Sequence, residues 1–106
     1  MRRLAAYAEA GADCLHAPGL RNLAEIETVV RAVAPKPVNV LVGTNFSSVA
    51  ELASAGVRRI SVGGALARVA LSAFLDAASE IATQGTFTRL GAARPFPEIN
   101  GAFGFR

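Results

Sequence analysis

Short apolar runs alternate along this chain with longer amphipathic segments, and the alternation predicts a repeating strand–helix pattern. The strands are expected at "ADCLHA" (12–17), "PVNVLV" (37–42) and "RRISVG" (58–63). Each run is short and almost wholly apolar, as expected of a strand buried on both faces of a sheet. Strands that are separated by helices in this way form a parallel sheet with right-handed crossovers. The pattern therefore predicts an α/β fold, with parallel strands alternating with helices.

The helices between these strands are predicted from the helical spacing of apolar residues and from their end signals. They are expected over 2–10, 23–34, 49–55 and 66–84. Asn22 is the expected N-cap of the second helix, and Ser47 or Ser48 caps the third. In the second helix the apolar residues lie on one stripe, which is typical of a helix packed against a sheet: Leu23, Ile26, Val29, Val30 and Val33.

The number of elements indicates part of a larger fold. Three strands and their helices are less than half of a (β/α)8 TIM barrel, which takes about 250 residues. The chain also opens inside a helix, and Gly63-Gly64 does not match the Gly-x-Gly-x-x-Gly turn of a doubly wound sheet. We therefore expect the C-terminal half of a barrel over residues 1–90, followed by a tail over 91–106.

Composition and charge exclude several classes of function. The chain is 52% hydrophobic and 18% charged, with a net charge of +3 whose basic residues are scattered, which argues against a nucleic-acid partner. The sequence has no apolar run of the roughly 18 to 20 residues that span a membrane and no signal peptide, so a cytoplasmic protein is expected. One cysteine, one histidine and no Asp-x-Asp pair predict no metal site in this chain.

Candidate chemistry lies where the strands end, because a barrel builds its active site at the carboxyl ends of its strands. His16 ends the first strand just before Pro18-Gly19. It is either a proton shuttle or ligand for an anionic substrate, or a rim histidine bonded to a backbone carbonyl. Asn39 lies inside the second strand, where its amide must find partners. It either faces a substrate carboxylate or ties loops together.

The third strand ends at Ser61, and Gly63 and Gly64 follow at the turn into the last long helix. Backbone N–H groups at such a turn can hold a phosphate or carboxylate, but the glycines equally permit a tight turn. The carboxylates on predicted helices are expected on solvated faces: Glu9, Glu25, Glu27, Glu51, Asp76 and Glu80.

Four segments together resemble the C-terminal part of the isocitrate lyase/phosphoenolpyruvate mutase superfamily. They are "YAEAGADCLHAPGL", "VAPKPVNVLV", "VAELASAGVRRISVGGALAR" and "FLDAASEIATQGTF", and the similarity runs from about residue 2 to about residue 90. The superfamily includes proteins like 2-methylisocitrate lyase and carboxyphosphonoenolpyruvate phosphonomutase. His16 occupies the position where phosphonate-processing members carry a histidine near the anionic group of the substrate. Asn39 lies two positions before an asparagine of the lyases, on the same face of the strand.

The resemblance implies a Mg²⁺-dependent (β/α)8 enzyme acting on small 2-oxo or hydroxy carboxylic acids. Such enzymes cleave or form C–C bonds, or rearrange P–C bonds, and are usually homo-oligomers that exchange their last helices. The Mg²⁺ ligands come from the N-terminal half of the barrel and are absent from this chain.

We therefore expect a fragment of such a lyase or phosphonomutase, inactive by itself. In the parent enzyme His16 and Asn39 would orient a small anionic carboxylate or phosphonate, and the turn from Ser61 to Gly64 would close the rim. The alternatives are a non-enzymatic half-barrel assembly module and a small phosphate-binding module that uses Gly63 and Gly64.

Overall fold

The computed structural model describes residues 2–104, which fall into two compact units, residues 2–66 and 67–104. The first unit contains α1 (Arg2–Glu9), β1 (Leu15–His16), α2 (Leu23–Val33), β2 (Val38–Leu41), α3 (Val49–Ser54) and β3 (Arg59–Ser61). Helix α4 (Ala65–Gln84) begins at the end of the first unit. The second unit holds the rest of α4, a 3-10 helix (Thr88–Ala92) and α5 (Phe96–Ala102).

The three strands form one parallel sheet in the order β1-β2-β3. His16 pairs with Asn39 across the first two strands, and Leu41 pairs with Ser61 across the second and third. Each strand is followed by a helix in the chain. The predicted α/β class with parallel strands alternating with helices is therefore confirmed.

The strands are shorter than the apolar runs that predicted them. Strand β1 has two residues where six were expected, because the chain bends at Asp13-Cys14 and turns again at Pro18-Gly19. Its pairing begins where the Leu15 N–H donates to the Pro37 carbonyl over 2.9 Å. An apolar run therefore marks where a strand lies, whereas the backbone partner decides its length.

Helix α2 packs against the sheet as its stripe predicted. The Asn22 side chain accepts a hydrogen bond from the Ala24 N–H at 2.8 Å, which satisfies one free N–H of the first turn. Ile26, Val29 and Val33 are buried, and they belong to a core that also includes residues of β1, of β2 and of two further helices. The core is completed by Leu4, Leu15, Val38, Val40, Leu52, Ala55 and Val57.

Helix α3 begins with a capping box. The Ser48 hydroxyl accepts from the Glu51 N–H at 3.2 Å, and Glu51 Oε2 accepts from the Ser48 N–H at 2.7 Å. Hydrogen bonds from the Ser48 N–H and then from the hydroxyls of Ser48 and Ser47 lower the pKa of Glu51 from its ordinary value. Ser48, one of the two predicted caps, is thus the N-cap.

The second unit is held by a buried carboxylate. Glu80 exposes 7% of its surface and accepts hydrogen bonds from Thr86 Oγ1 (2.6 Å), the Thr88 N–H (2.8 Å) and the Arg89 N–H (2.9 Å). The Thr86 hydroxyl and then the Arg89 N–H lower the pKa of Glu80 to about 2. The prediction of a solvated Glu80 is wrong, because the chain turns after Gln84 and brings three donors back onto α4.

The predicted tail contains the end of the 3-10 helix and α5, and Arg94 and Glu98 form an ion pair near the start of α5. Residues 105 and 106 of that tail lie outside the described residues. The geometric division falls after Leu66, whereas the boundary expected at residue 90 marks the extent of a family resemblance and stays a prediction.

No helix within residues 2–104 is both long enough and apolar enough to cross a membrane.

Candidate functional site

Three predicted site residues meet at one edge of the sheet. His16 ends β1, Asn39 lies in β2 opposite it, and Ser61 ends β3. His16 pairs with Asn39, and Ser61 pairs with Leu41, which lies two residues beyond Asn39 on the same face of β2. This register brings the three side chains together although 22 or 23 positions separate neighbours in the sequence. The sheet therefore gathers an imidazole, an amide and a hydroxyl from three separate segments.

These side chains form a continuous hydrogen-bonded row. Asn39 Nδ2 lies 2.9 Å from His16 Nδ1 and donates to Ser61 Oγ over 3.0 Å. His16 Nδ1 is also 3.3 Å from the Asn39 backbone oxygen. Asn39 is 5% exposed, His16 is exposed and Ser61 is half-buried. The buried amide thus supports two side chains that are accessible to a ligand.

One atom of the row is left without a partner. Asn39 Oδ1 is buried and accepts no hydrogen bond from the described residues. An unsatisfied buried acceptor costs about 1–3 kcal/mol. Most buried polar atoms therefore have a hydrogen-bond partner in the protein or an ordered water. The contacts of Asn39 Nδ2 with His16 and Ser61 therefore orient this side chain, while its Oδ1 atom lacks a hydrogen-bond donor.

A cavity of about 350 Å³ lies beside His16, between the end of β1 and the first turns of α1. It is lined by Arg3, Leu4, Tyr7, His16, Ala17 and Pro18. A guanidinium, a phenol and an imidazole are all able to donate hydrogen bonds to an anion. Arg3 and Tyr7 were not among the site residues predicted from the sequence. Their four-residue spacing on one helix face was a signal that pointed to a shared surface.

The two glycines after β3 lie at a turn beside this row. The Ala65 N–H donates to the Val62 carbonyl over 3.1 Å, which closes the turn into α4. Gly63 has a φ of 53°, and a Cβ at that position would lie 3.4 Å from Leu41 Cδ1. This geometry accounts for Gly63 as a turn residue. A ligand-binding role for Gly63 or Gly64 stays a prediction.

The described residues do not fit a magnesium site. Residues 2–104 contain no group of three or more His, Cys, Asp or Glu side chains close enough to hold a metal. The row itself offers an imidazole, an amide and a hydroxyl, whereas Mg²⁺ prefers carboxylates, phosphates and water. The side chains of the row therefore offer no set of ligands that Mg²⁺ prefers.

Comparison with known families finds a match over most of the chain. The family model described as phosphoenolpyruvate phosphomutase matches residues 1–82. The chain belongs to this family, within the isocitrate lyase/phosphoenolpyruvate mutase superfamily. The predicted resemblance is thereby confirmed.

Two solved structures from Burkholderia cenocepacia J2315 are similar to this chain. A proposed lyase/mutase is 53% identical with a TM-score of 0.89, over 98% of this chain and 38% of that one. A proposed phosphonomutase is 40% identical with a TM-score of 0.64, over 80% of this chain and 32% of that one. The chain thus spans less than two-fifths of the length of either relative. No curated protein sequence matches it significantly.

Proposed function

We propose that this chain is the C-terminal half of a (β/α)8 barrel from a lyase or phosphonomutase, and that it orients a small anionic carboxylate or phosphonate. The hydrogen-bonded row of His16, Asn39 and Ser61 carries the proposal. His16 and Ser61 are accessible and contact the substrate, while the buried Asn39 amide holds both in position. The partial match to longer lyase/mutase chains supports the half-barrel.

The cavity beside His16 supports an anionic substrate class. Arg3 supplies a permanent positive charge, and Tyr7 supplies a neutral donor on the same side of α1. A 2-oxo or hydroxy acid, or a phosphonate of similar size, offers several acceptor oxygens to these groups. In this proposal any Mg²⁺ is held by carboxylates outside this chain, so the isolated chain binds without turnover. The unpaired Cys14 needs no oxidising compartment, which favours the cytoplasm.

Ligand binding tests the proposal directly. Nitrogen-15 NMR spectra of the chain would be titrated with pyruvate, malate, phosphonoacetate and inorganic phosphate, with uncharged acetone as a control. We expect the Asn39 side-chain amide signals to move with the carboxylates or the phosphonate and not with acetone. His16→Ala should weaken binding at least about tenfold, which corresponds to about 1.4 kcal/mol. Asn45→Ala, in an exposed loop, is the matched control and should leave binding unchanged.

The remaining outcomes contradict parts of the proposal. No shift with any acid would overturn the substrate class. Binding of phosphate alone, unaffected by His16→Ala, would favour the phosphate-binding module at Gly63 and Gly64. Turnover of an acid by the purified chain with added Mg²⁺, lost in His16→Ala, would overturn the expected inactivity.

A non-enzymatic assembly module is the second candidate, and the exposed apolar side of α4 favours it. Leu71, Phe74 and Leu75 follow helical spacing and are all exposed. We propose that a second copy of the chain covers this stripe, as a homo-oligomer would. Sedimentation analysis should then give a mass above that of the monomer. Phe74→Glu should lower that mass, and Ser72→Glu on the same helix should have less effect. A monomeric wild-type chain would contradict self-association.

A further inference from the structure

His16 is the single histidine of the chain, and its Nδ1 atom faces two groups of opposite hydrogen-bonding character. Asn39 Nδ2, a donor, lies 2.9 Å away, and the Asn39 backbone oxygen, an acceptor, lies 3.3 Å away. A neutral imidazole carries its proton on one nitrogen only. Nδ1 therefore either accepts from the amide or donates to the carbonyl, and it does not do both.

The Asn39 amide decides between these alternatives. With its nitrogen toward His16 and Ser61, both N–H groups have acceptors and only Oδ1 lacks a partner. With the amide turned over, Oδ1 accepts from both neighbours, but both N–H groups of Nδ2 are buried without acceptors. Orphaned buried N–H groups are rarer than under-satisfied carbonyl oxygens, and two cost more than one. The first orientation is therefore the stable one.

The backbone carbonyl is the weaker competitor for Nδ1. Its 3.3 Å contact is long for an N–H···O hydrogen bond, which is commonly about 2.9–3.0 Å. A proton on Nδ1 would also point at the Asn39 N–H groups and leave one of them without an acceptor. Both effects place the lone pair, rather than the proton, on Nδ1.

We propose that Asn39 is a positioning residue that keeps the proton of neutral His16 on Nε2. His16 then meets a ligand as a hydrogen-bond donor and not as a proton acceptor. The location of the proton is a property of the free chain and does not depend on the proposed function. Its consequence rests on that function: the group that contacts His16 Nε2 is an acceptor, such as a carboxylate or phosphonate oxygen, and a general base must come from elsewhere.

The single histidine makes the test direct. The ring nitrogens of uniformly ¹⁵N-labelled chain would be observed at about pH 9, above the range in which imidazoles titrate. We expect Nδ1 to show the shift of an unprotonated ring nitrogen and Nε2 that of a protonated one. We also expect a scalar coupling across the hydrogen bond between Asn39 Nδ2 and His16 Nδ1. A proton on Nδ1, or absence of this coupling in the folded wild-type chain, would overturn the proposal.

Three variants separate positioning from general structural support. In Asn39→Asp the carboxylate only accepts, so the proton should move to Nδ1 and the shifts of the two ring nitrogens should exchange. Ser61→Ala leaves the contact with Nδ1 in place and should keep the wild-type tautomer. Asn45→Asp adds the same charge in an exposed loop and should change nothing. An Asn39→Asp chain that folds and keeps its proton on Nε2 would contradict the assigned role.

The wild-type coupling decides the matter if Asn39→Asp does not fold. The spectra also distinguish the two proposals from each other. A proton on Nε2 without any acid binding would leave the tautomer assignment intact and remove the proposed function. Binding of an acid together with a proton on Nδ1 would support the proposed function and overturn the tautomer assignment.

Discussion

The two units of this chain are stabilised in different ways. Residues 2–66 enclose ten buried apolar side chains between three strands and their helices. Within residues 67–104 the one buried residue is acidic, and the large apolar side chains of that unit are exposed. Burial of apolar surface is the dominant stabilising contribution in folding. The first unit therefore has its own core, whereas the second depends on helix formation and on the hydrogen bonds of Glu80.

The difference explains where a functional site can be built. The hydrogen-bonded row rests on β1, β2 and β3, whose backbones are fixed by the core beneath them. Side chains on such rigid elements hold their geometry better than side chains on exposed segments. The second unit instead presents apolar surface, which suits contact with another surface.

A pair of leucine truncations tests the division most strongly. Leu52→Ala removes a side chain that is 1% exposed, and the free energy of unfolding should fall by about 2–5 kcal/mol. Leu75→Ala removes one that is 63% exposed and should change the free energy of unfolding of the monomer by less than about 0.5 kcal/mol. Urea denaturation measures both. A loss for Leu75→Ala as large as that for Leu52→Ala would show that α4 is covered in solution.

Gly56→Ala should produce the next largest effect. Gly56 has a φ of 86°, and a Cβ there would lie 2.8 Å from Val30 Cγ1. The left-handed backbone alone costs an L-residue about 1–2 kcal/mol, and the contact adds to it. The same substitution at Gly101 meets nothing within 4 Å and lies in α5, so it should be neutral or slightly stabilising. Thermal denaturation followed by circular dichroism compares the two.

Loss of the α3 cap should have a smaller effect. Ser48→Ala removes the hydroxyl that accepts from the Glu51 N–H, and the free energy of unfolding should fall by about 1 kcal/mol. Ser72→Ala, at an exposed position of α4, is the control and should change it by less than about 0.5 kcal/mol. Equal effects in urea denaturation would mean that the capping box does not stabilise the first unit.

Acid should act locally on the second unit. Because the pKa of Glu80 is lowered from 4.5 to about 2, its hydrogen bonds stabilise the folded turn fully above about pH 5. That contribution declines as the pH falls from 4.5 towards 2. Amide exchange at Thr88 and Arg89 should quicken over this range. Glu80→Gln should quicken it already at neutral pH, whereas Glu98→Gln, which removes a carboxylate paired with Arg94 instead, should not.

Unchanged exchange at Thr88 and Arg89 in Glu80→Gln would show that the buried carboxylate does not hold this turn. A matching change across β1, β2 and β3 would show instead that the two units unfold together. Either result would contradict the conclusion that the first unit is stabilised by its own core and the second by hydrogen bonds.

Much of this protein is determined by local sequence. The apolar spacing of Ile26, Val29 and Val33 specifies one buried face of α2. Asn22 marks where that helix begins, and the pair at 47–48 marks the start of α3 to within one residue. His16 and Ser61 were identifiable as polar residues at the ends of strands, and Asn39 as a polar residue inside a buried strand. These features depend on periodicity and on side chains that bond within three or four positions, so the sequence alone reveals them.

Contacts between distant residues were decided only by the tertiary structure. Two-residue alternation assigns Asn39 to a face, but the strand register decides that its amide reaches both His16 and Ser61. Likewise, the fold of α1 onto β1 brings Arg3 and Tyr7 to the cavity beside His16. Helical position alone predicted a solvated Glu80, but in the structure the segment after α4 donates three hydrogen bonds to its carboxylate. In each case a group from another segment of the chain sets the environment, and the periodicity within one helix or strand carries no information about it.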